Sequence, residues 1–399
     1  MTARHAITGT AIANCLGADH EAVFARAFAG ADAFSPGDAF FPLPFQTVLG
    51  VMAGELARPE DVLHGCAATR LATLALTSVR QLKPAVADAV ARWGAERIAY
   101  VFASSTGGLE ETERALAPDP RLPPTREVYN YLDHGIDATS EAIARYLGIA
   151  GVSLAISTAC SSSFKALASA VRLIDRGLAD AAVVGCADSL CRTTVFGFHS
   201  LGLLATTPTR PFSRDRAGIT LGEGSAYVLI ERQAAATARH ALAWLAGIGG
   251  ASDAYHHTTP RPDGIGGQLC MRAALAGAGL APAAIDCVHV HGTGTPQNDA
   301  AEAAAIARVF ERRAPITATK SLTGHTLGSA GLTALVLAIE SLRRQAIPAT
   351  LRVAPADEQL DVDVIDAVTP ATLRHVLVNA FGFGGSNASV VISHPAEPA

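Results

Sequence analysis

The chain has 399 residues, 49% of them hydrophobic and 17% charged, with a formal net charge of −5. That length and composition suit one large or two ordinary domains around an extensive buried core, and a net-negative chain with no Lys/Arg cluster excludes nucleic acid as a partner. Residues 1–13 lack the basic start and long apolar core of a signal peptide, and no apolar run reaches the roughly 20 residues that span a bilayer; a cytoplasmic protein without membrane contact is the expectation.

Short apolar runs at residues 98–103, 181–184, 226–230, 288–291 and 376–380 alternate with Ala/Leu-rich stretches of helical character. This alternation predicts α/β layers. The Pro-rich stretch 117–124 and the charged stretch 209–217 read as surface excursions. A break near residues 233–239, between a strand ending at Glu231 and an apolar run restarting at Ala241, divides the chain into halves 1–235 and 236–399. The halves share no residue-level repeat, so any twofold similarity has to be structural.

Cys160 lies in Ser-Thr-Ala-Cys-Ser-Ser-Ser, between a strand-like run, 152–156, and a helix-like run, 164–174. A helix N-terminus carries partial positive charge and free N–H groups, which favour thiolate over thiol and can hold an oxyanion beside the sulfur. Phe164, Leu167, Ala168, Val171 and Ile174 recur at helical spacing, so one face is buried while the helix start stays accessible. The plainer reading is a cysteine acting as a small core hydrophobe, one of seven. Cys15, Cys66, Cys186, Cys191, Cys270 and Cys287 have neither CxxC spacing nor small-residue neighbours of this kind and read as packing residues.

Downstream, His289-Val290-His291-Gly292-Thr293-Gly294-Thr295-Pro296 runs from a strand through a Gly/Thr loop into an Ala-rich helix, with Asp299 and Glu302 at the spacing of an N-cap and its N3 partner. His291 then falls at a strand end facing a glycine-lined gap; a core histidine satisfied by backbone is the alternative. In residues 317–331 a strand leads through Lys320-Ser321-Leu322-Thr323-Gly324-His325 into a helix beginning with Gly328, Ala330 and Gly331. Those small residues predict a buried central helix. Lys320, beside a strand in so apolar a chain, is expected to be buried against an acid such as Glu302, because an unpaired buried ammonium is costly. Residues 379–387, Asn-Ala-Phe-Gly-Phe-Gly-Gly-Ser-Asn, form a glycine-rich turn between two strands and match no nucleotide-loop pattern.

A cysteine at a helix start with two loop histidines suits a particular chemistry. The thiolate takes up an acyl group as a thioester, backbone N–H groups hold the oxyanion, and two neutral imidazoles stabilise the enolate left when a malonyl thioester loses CO₂. A cysteine hydrolase would instead want one histidine, an orienting Asn or Asp, and a path for water.

Thr158-Ala159-Cys160-Ser161-Ser162, His291-Gly292-Thr293-Gly294-Thr295-Pro296, Lys320 to His325 and Phe381-Gly382-Phe383-Gly384-Gly385-Ser386-Asn387 resemble, in order, the signatures of elongating β-ketoacyl-acyl-carrier-protein synthases. Arg210-Pro211-Phe212, Gly222-Glu223-Gly224 and Ser252 to His256 also resemble that family, so the likeness spans nearly the whole chain. It implies a thiolase-like fold, two similar α/β halves in a five-layer α-β-α-β-α arrangement, with the nucleophile in the first half and both histidines in the second. It further implies an acyltransferase, a 3-oxoacyl-[acyl-carrier-protein] synthase of fatty-acid or polyketide synthesis. By the same resemblance Cys160 is the acyl-accepting nucleophile, and His291 and His325 serve malonyl decarboxylation and condensation. Lys320 and Glu302 position the histidines, and the N–H groups of Cys160 and Phe383 form the oxyanion hole, Phe383 also gating the acyl pocket. Thr293 and Thr295 contact phosphopantetheine, and Phe198, Thr106 and Phe381 line or shape the acyl pocket. No metal or bound cofactor is implied; phosphopantetheine arrives on acyl carrier protein. The partners implied are that carrier and either a second copy or a chain-length-factor-like subunit.

Housekeeping members carry a basic cluster for carrier docking ahead of an early helix, where this chain offers Arg70 and His64. Together with Gly197 to Leu201 and Arg216 to Ile219, this departure is more similar to ketosynthases of aryl-polyene clusters. A thiolase-type acyltransferase would want a second cysteine in the turn that holds Phe381 and Phe383, and a carrier-binding partner subunit without condensing activity would lack Cys160.

Overall fold

The computed structural model describes residues 5–63, 68–116, 130–310 and 314–396. The first half contributes strands β1 (His5–Asn14), β2 (Ile98–Ala103), β3 (Ser153–Ile156), β4 (Ala181–Asp188) and β5 (Gly224–Arg232). These lie side by side in the order β1-β5-β4-β2-β3. The second half contributes β6 (Ala243–Ser252), β7 (Cys287–His289), β8 (Pro315–Thr317), β9 (Asp363–Val364), β10 (His375–Gly382) and β11 (Ser386–Ser393). Their order is β6-β11-β10-β7-β8-β9, which apart from the short edge strand β9 is the same order again. The directions repeat as well: two antiparallel pairings followed by two parallel ones in each half. Strand order and direction thus repeat where the residues do not. A short antiparallel pairing of β1 with β6, His5 opposite Leu245, joins the two sets into an eleven-stranded sheet.

Helices complete the layers. On the first half, α1 (Arg70–Val79), α2 (Lys83–Trp93) and α3 (Asp137–Leu147) cover one face through Leu71, Leu74, Val86 and Ile143 against Tyr100, Phe102 and Tyr227. Between the halves lie α4 (Ser162–Asp175) and, later in the chain, α8 (Ala330–Arg344). Their Phe164, Leu167, Leu335 and Leu342 share one core with Val101 and Val228 of the first half and with Val378 and Val390 of the second. Helix α5 (Arg192–Ser200) follows β4, and on the second half α6 (Ile265–Ala278) and α7 (Pro296–Val309) cover the far face, with Met271, Leu275, Ile306 and Val309 on Val288 and Leu377. The result is five layers, α-β-α-β-α. Strands β2 and β4 are buried along their whole length, which is why they read as continuous apolar runs. Helix α8 is buried on every side from Ala330 to Leu342, the central helix its small residues predict. A Cβ at Gly331 would fall 2.6 Å from Ser163 Oγ on α4, so glycine lets the two central helices approach.

Of the two surface expectations, one turns out differently. Residues 117–124 lie outside the described residues. In 209–217, Thr209, Phe212 and Ser213 are buried, and Arg216 pairs with Asp357 at 2.5 Å. Only Arg214, Asp215 and Ala217 are exposed there, because Phe212 enters the core beneath α7 while the charges find partners. Among the described residues, no helix is long and apolar enough to cross a membrane.

Candidate active site

Cys160 follows β3 and precedes α4, on a turn where Ala159 takes a φ of +52°. That left-handed conformation is strained for a residue with a Cβ. It is held by Ser162, whose Oγ accepts from Thr158 N at 2.8 Å and donates to Ala159 O at 2.5 Å. Ser161 Oγ donates to Ser386 Oγ at 2.9 Å, fastening the turn to the start of β11. The backbone N–H groups of Phe383 and of Cys160 itself are directed at the sulfur. Two N–H groups thus stand beside the sulfur, but the acidity does not follow the helix-start argument. Burial pushes the Cys160 thiol up to about 11, and Asp188 adds to the rise; the Lys320 ammonium and the two N–H groups pull against it without winning. Desolvation of a thiolate outweighs the helix end here.

His291 lies two residues beyond β7, and its position is set by its backbone. The N–H groups of His291 and Gly292 each donate at 2.8 Å to one oxygen of Glu302, whose Oε1 also accepts from Asn379 Nδ2 at 3.0 Å. Lys320 Nζ donates to His291 O at 2.6 Å and meets His291 Nδ1 at 3.2 Å. An ammonium can only donate, so Nδ1 is the acceptor and the ring proton is on Nε2. Lys320 is buried with Glu302 as its main opposite charge, as expected, and both groups converge on His291, one at its carbonyl and ring, the other at its N–H. Burial lowers Lys320 to about 8, while the nearby Glu302 carboxylate holds it up.

The helix-capping expectation for Asp299 and Glu302 is also overturned. Thr295 is the N-cap of α7, its Oγ1 accepting from Asn298 N, and Pro296 occupies the first turn. Proline at that place makes the earlier start the better one. Asp299 and Glu302 are buried inside the helix, Asp299 accepting from Phe212 N at 2.8 Å and Gly294 N at 3.1 Å.

His325 follows Gly324, which has a φ of +69°, and its N donates to Thr220 O at 2.7 Å. Its Nε2 lies 3.0 Å from Cys160 Sγ. The rings of His291 and His325 are 5.3 Å apart and edge to face, at 88°. Burial first, and the Lys320 charge second, hold both imidazoles well below the usual histidine range. Both are neutral at physiological pH. His325 Nδ1 has no hydrogen-bond partner among the described residues, so a neutral ring keeps its proton on Nε2, toward the sulfur.

Cys160, His291 and His325 open on a cleft of about 890 Å³ with its mouth included, which Thr293, Thr295, Phe198, Phe381 and Phe383 also line. The Phe198 and Phe383 rings stack at 5.4 Å, and Phe381 lies 5.9 Å from the His291 ring. Thr293 and Thr295 share a hydroxyl contact of 2.9 Å. Thr106 does not line this cleft; its Oγ1 donates to Asp188 Oδ1 at 2.9 Å. Of the two cations offered for carrier docking, His64 lies outside the described residues, and Arg70 is bound to the buried Glu223. Arg70 is therefore not a free docking charge.

A thiol held up to about 11 implies that alkylation of Cys160 by iodoacetamide keeps accelerating well above pH 9. Lys320→Met removes the positive charge that favours the thiolate and is expected to slow that alkylation below about pH 8, where Lys320 still carries its proton. An unchanged profile in the variant would show that Lys320 does not act on the sulfur.

Residues 67–236 match the family described as beta-ketoacyl synthase, N-terminal domain, and residues 242–354 match beta-ketoacyl synthase, C-terminal domain. The 3-oxoacyl-[acyl-carrier-protein] synthase 2 of Vibrio cholerae is 35% identical over 316 residues, 74% of this chain and 76% of that protein. The enzyme of the same name from Staphylococcus aureus is 30% identical over 403 residues, 96% of this chain and 99% of that one. Among solved structures, a chain of the Xenorhabdus doucetiae complex of the ketosynthase ApeO with its chain length factor ApeC superposes with a TM-score of 0.89 at 35% identity, covering 98% of both chains. With the five-layer thiolase-like fold and a cysteine facing two neutral histidines, these matches mean that the chain belongs to the β-ketoacyl synthase family.

Proposed function

We propose that this chain is a β-ketoacyl-[acyl-carrier-protein] synthase that condenses a malonyl group with an acyl group held as a thioester on Cys160. The observation that carries this reading is the placing of two neutral imidazoles around one thiol, His325 Nε2 at 3.0 Å from the sulfur and His291 5.3 Å from His325. Acyl carrier protein, through its phosphopantetheine arm, is the carrier of both substrates. In this reading residues 1–235 supply the nucleophile and residues 236–399 the histidines.

In the first step the Cys160 sulfur attacks the carbonyl carbon of the acyl-carrier thioester. The Cys160 and Phe383 N–H groups hold the tetrahedral oxyanion, the carrier sulfur leaves, and the proton lost by Cys160 ends on it. In the second step the malonyl carrier enters past Thr293 and Thr295. Its terminal C–C bond breaks, CO₂ departs, and the electron pair moves onto the thioester oxygen as an enolate. Two Nε2–H groups that do not ionise at neutral pH stabilise that oxygen as charge develops on it. The enolate carbon then attacks the acyl-Cys160 carbonyl, the C–S bond breaks, and the Cys160 thiolate takes up a proton from solvent. Lys320 and Glu302 position His291 throughout, and Phe198, Phe381 and Phe383 wall the acyl chain from water.

The aryl-polyene or polyketide branch is favoured over housekeeping fatty-acid elongation by one finding, the pairing of a half-buried Arg70 with the buried Glu223 where a docking cation was expected. Each branch is read out by one experiment. The purified protein, alone and mixed with a similar subunit that lacks the nucleophile, is given malonyl-carrier and saturated, polyunsaturated or aryl acyl-carriers. The expected product is a β-ketoacyl-carrier two carbons longer, made from unsaturated or aryl chains and only with the added subunit. Extension of saturated chains by the protein alone would assign it to fatty-acid synthesis as a homodimer, and no extension under either condition would contradict the condensing reading.

A further inference from the structure

Asp188 ends β4 at the bottom of the site and is completely buried. Its Oδ1 accepts from Ser105 N at 2.7 Å, Thr106 N at 2.8 Å, Ser104 Oγ at 2.9 Å and Thr106 Oγ1 at 2.9 Å. Both hydroxyls are committed as donors, because each accepts an amide N–H on its other side: Ser104 Oγ from Gly107 N at 2.9 Å and Thr106 Oγ1 from Ser189 N at 3.3 Å. The second oxygen, Oδ2, accepts from Ser329 N at 3.2 Å. Each of these partners offers a hydrogen, and such a set fits a carboxylate rather than a protonated acid. Burial raises this acid above its usual range while the donors pull it back.

Two turns meet at this carboxylate. One is 104–107, which follows β2. The other runs from His325 through Leu327, at a φ of +53°, to Ser329, where α8 begins. A second stitch lies beside the first, Gly328 N donating to Ser105 Oγ at 3.2 Å. There is no room for slack between them: a Cβ on Gly328 would fall 2.8 Å from Asp188 Oδ2 and 3.3 Å from Ala159 O of the nucleophile turn.

We propose that Asp188 is a positioning residue for the condensation: its carboxylate ties the 104–107 turn to the turn that carries His325, and so holds His325 Nε2 at hydrogen-bond distance from Cys160. The role in condensation rests on the function proposed above; the clamp itself does not. Around Cys160 the charged and titratable groups are Lys320, His325, His291 and Asp188, and Asp188 in turn acts on Cys186 and Cys191 as well as Cys160.

Asp188→Asn keeps the size and an oxygen for the 104–106 donors but turns N–H toward the Ser329 N–H, breaking one side of the clamp. In the folded variant, kcat for condensation and for malonyl decarboxylation is expected to fall about tenfold or more with KM within about twofold, the signature of a misplaced group. The iodoacetamide profile of Cys160 is expected to move to lower pH, since a negative charge beside the thiol is gone; a purely structural loss would lower Tm and leave the profile in place. Wild-type kcat with an unmoved profile would overturn the proposal. Should Asp188→Asn not fold, Ser105→Ala decides: it removes the stitch to Gly328 and keeps the charge, so kcat falls about threefold with the alkylation profile unmoved, and a wild-type kcat there would overturn the clamp. If the parent protein proved inert toward malonyl-carrier, the condensing function would fall and the clamp would be read from the His325 imidazole NMR resonances instead: resonances displaced in Ser105→Ala would uphold it, and resonances unmoved there would overturn it.

Discussion

Cys160→Ala is expected to abolish both acyl uptake and condensation while leaving malonyl decarboxylation measurable. The sulfur is the only atom removed, and the groups that hold the histidines do not pass through it: His291 is fixed by Glu302 and Lys320, and His325 by Thr220 O and the turn into α8. Decarboxylation needs the two imidazole donors and a bound malonyl arm; condensation needs in addition a covalently held acyl group. The two activities therefore separate in this variant. Radiolabelled CO₂ release and product analysis on the same preparation check it, and condensation at the parental rate would remove Cys160 from the mechanism.

His325→Ala is expected to give the converse. Cys160 still has the Phe383 and Cys160 N–H groups and the Lys320 charge on its side, so acylation by an acyl-carrier persists, slowed by the loss of the 3.0 Å contact. Decarboxylation loses one of two donors to the enolate oxygen in a buried site, a loss of about 3 kcal/mol in the barrier, roughly a hundredfold or more in rate. The pH dependence carries the same message. Both histidines titrate well below 6.5, so the decarboxylation rate of the parent protein is expected to be level across pH 6–7, to fall on the acid side when the histidines take up protons, and to decline on the alkaline side as Lys320 loses its proton near 8. A rate that climbs through pH 6.5 would mean that a histidine becomes active by losing a proton there, which contradicts neutral donors.

The layered fold and the three side chains that meet in the cleft were legible because each is encoded locally. Runs such as 98–103 and 181–184 are buried on both faces and so carry an unbroken apolar signal, and helix α8 shows its central place through Gly328, Ala330 and Gly331. Cys160, His291 and His325 each stand in a strand-to-helix turn with small neighbours. What failed were readings that depend on residues far away in the chain. Asp299 and Glu302 imitate a cap and its partner, but Thr295 and Pro296 start the helix earlier, and the freed carboxylates serve backbone groups of Phe212, Gly294, His291 and Gly292. Cys160 promised a raised thiol acidity from its helix start, and only the packed site reveals how much water it has lost. Arg70 offered itself as a surface charge until Glu223, from the other side of the half, closed on it. Asp188 carried no signal at all: its partners at 104–106 and 329 are brought to it by the folding of both halves, and nothing in Gly-Cys-Ala-Asp-Ser foretells them.

The most direct test of the account is the mass of the intact protein after incubation with an acyl-carrier, alone and with the similar subunit that lacks the nucleophile, followed by mapping of the modified peptide. One acyl group on the Cys160 peptide, absent in Cys160→Ala and discharged into a longer β-ketoacyl-carrier when malonyl-carrier is added, is the expected result. A protein that stays unmodified with every acyl-carrier offered, or that carries the acyl group on another of its seven cysteines, would contradict it.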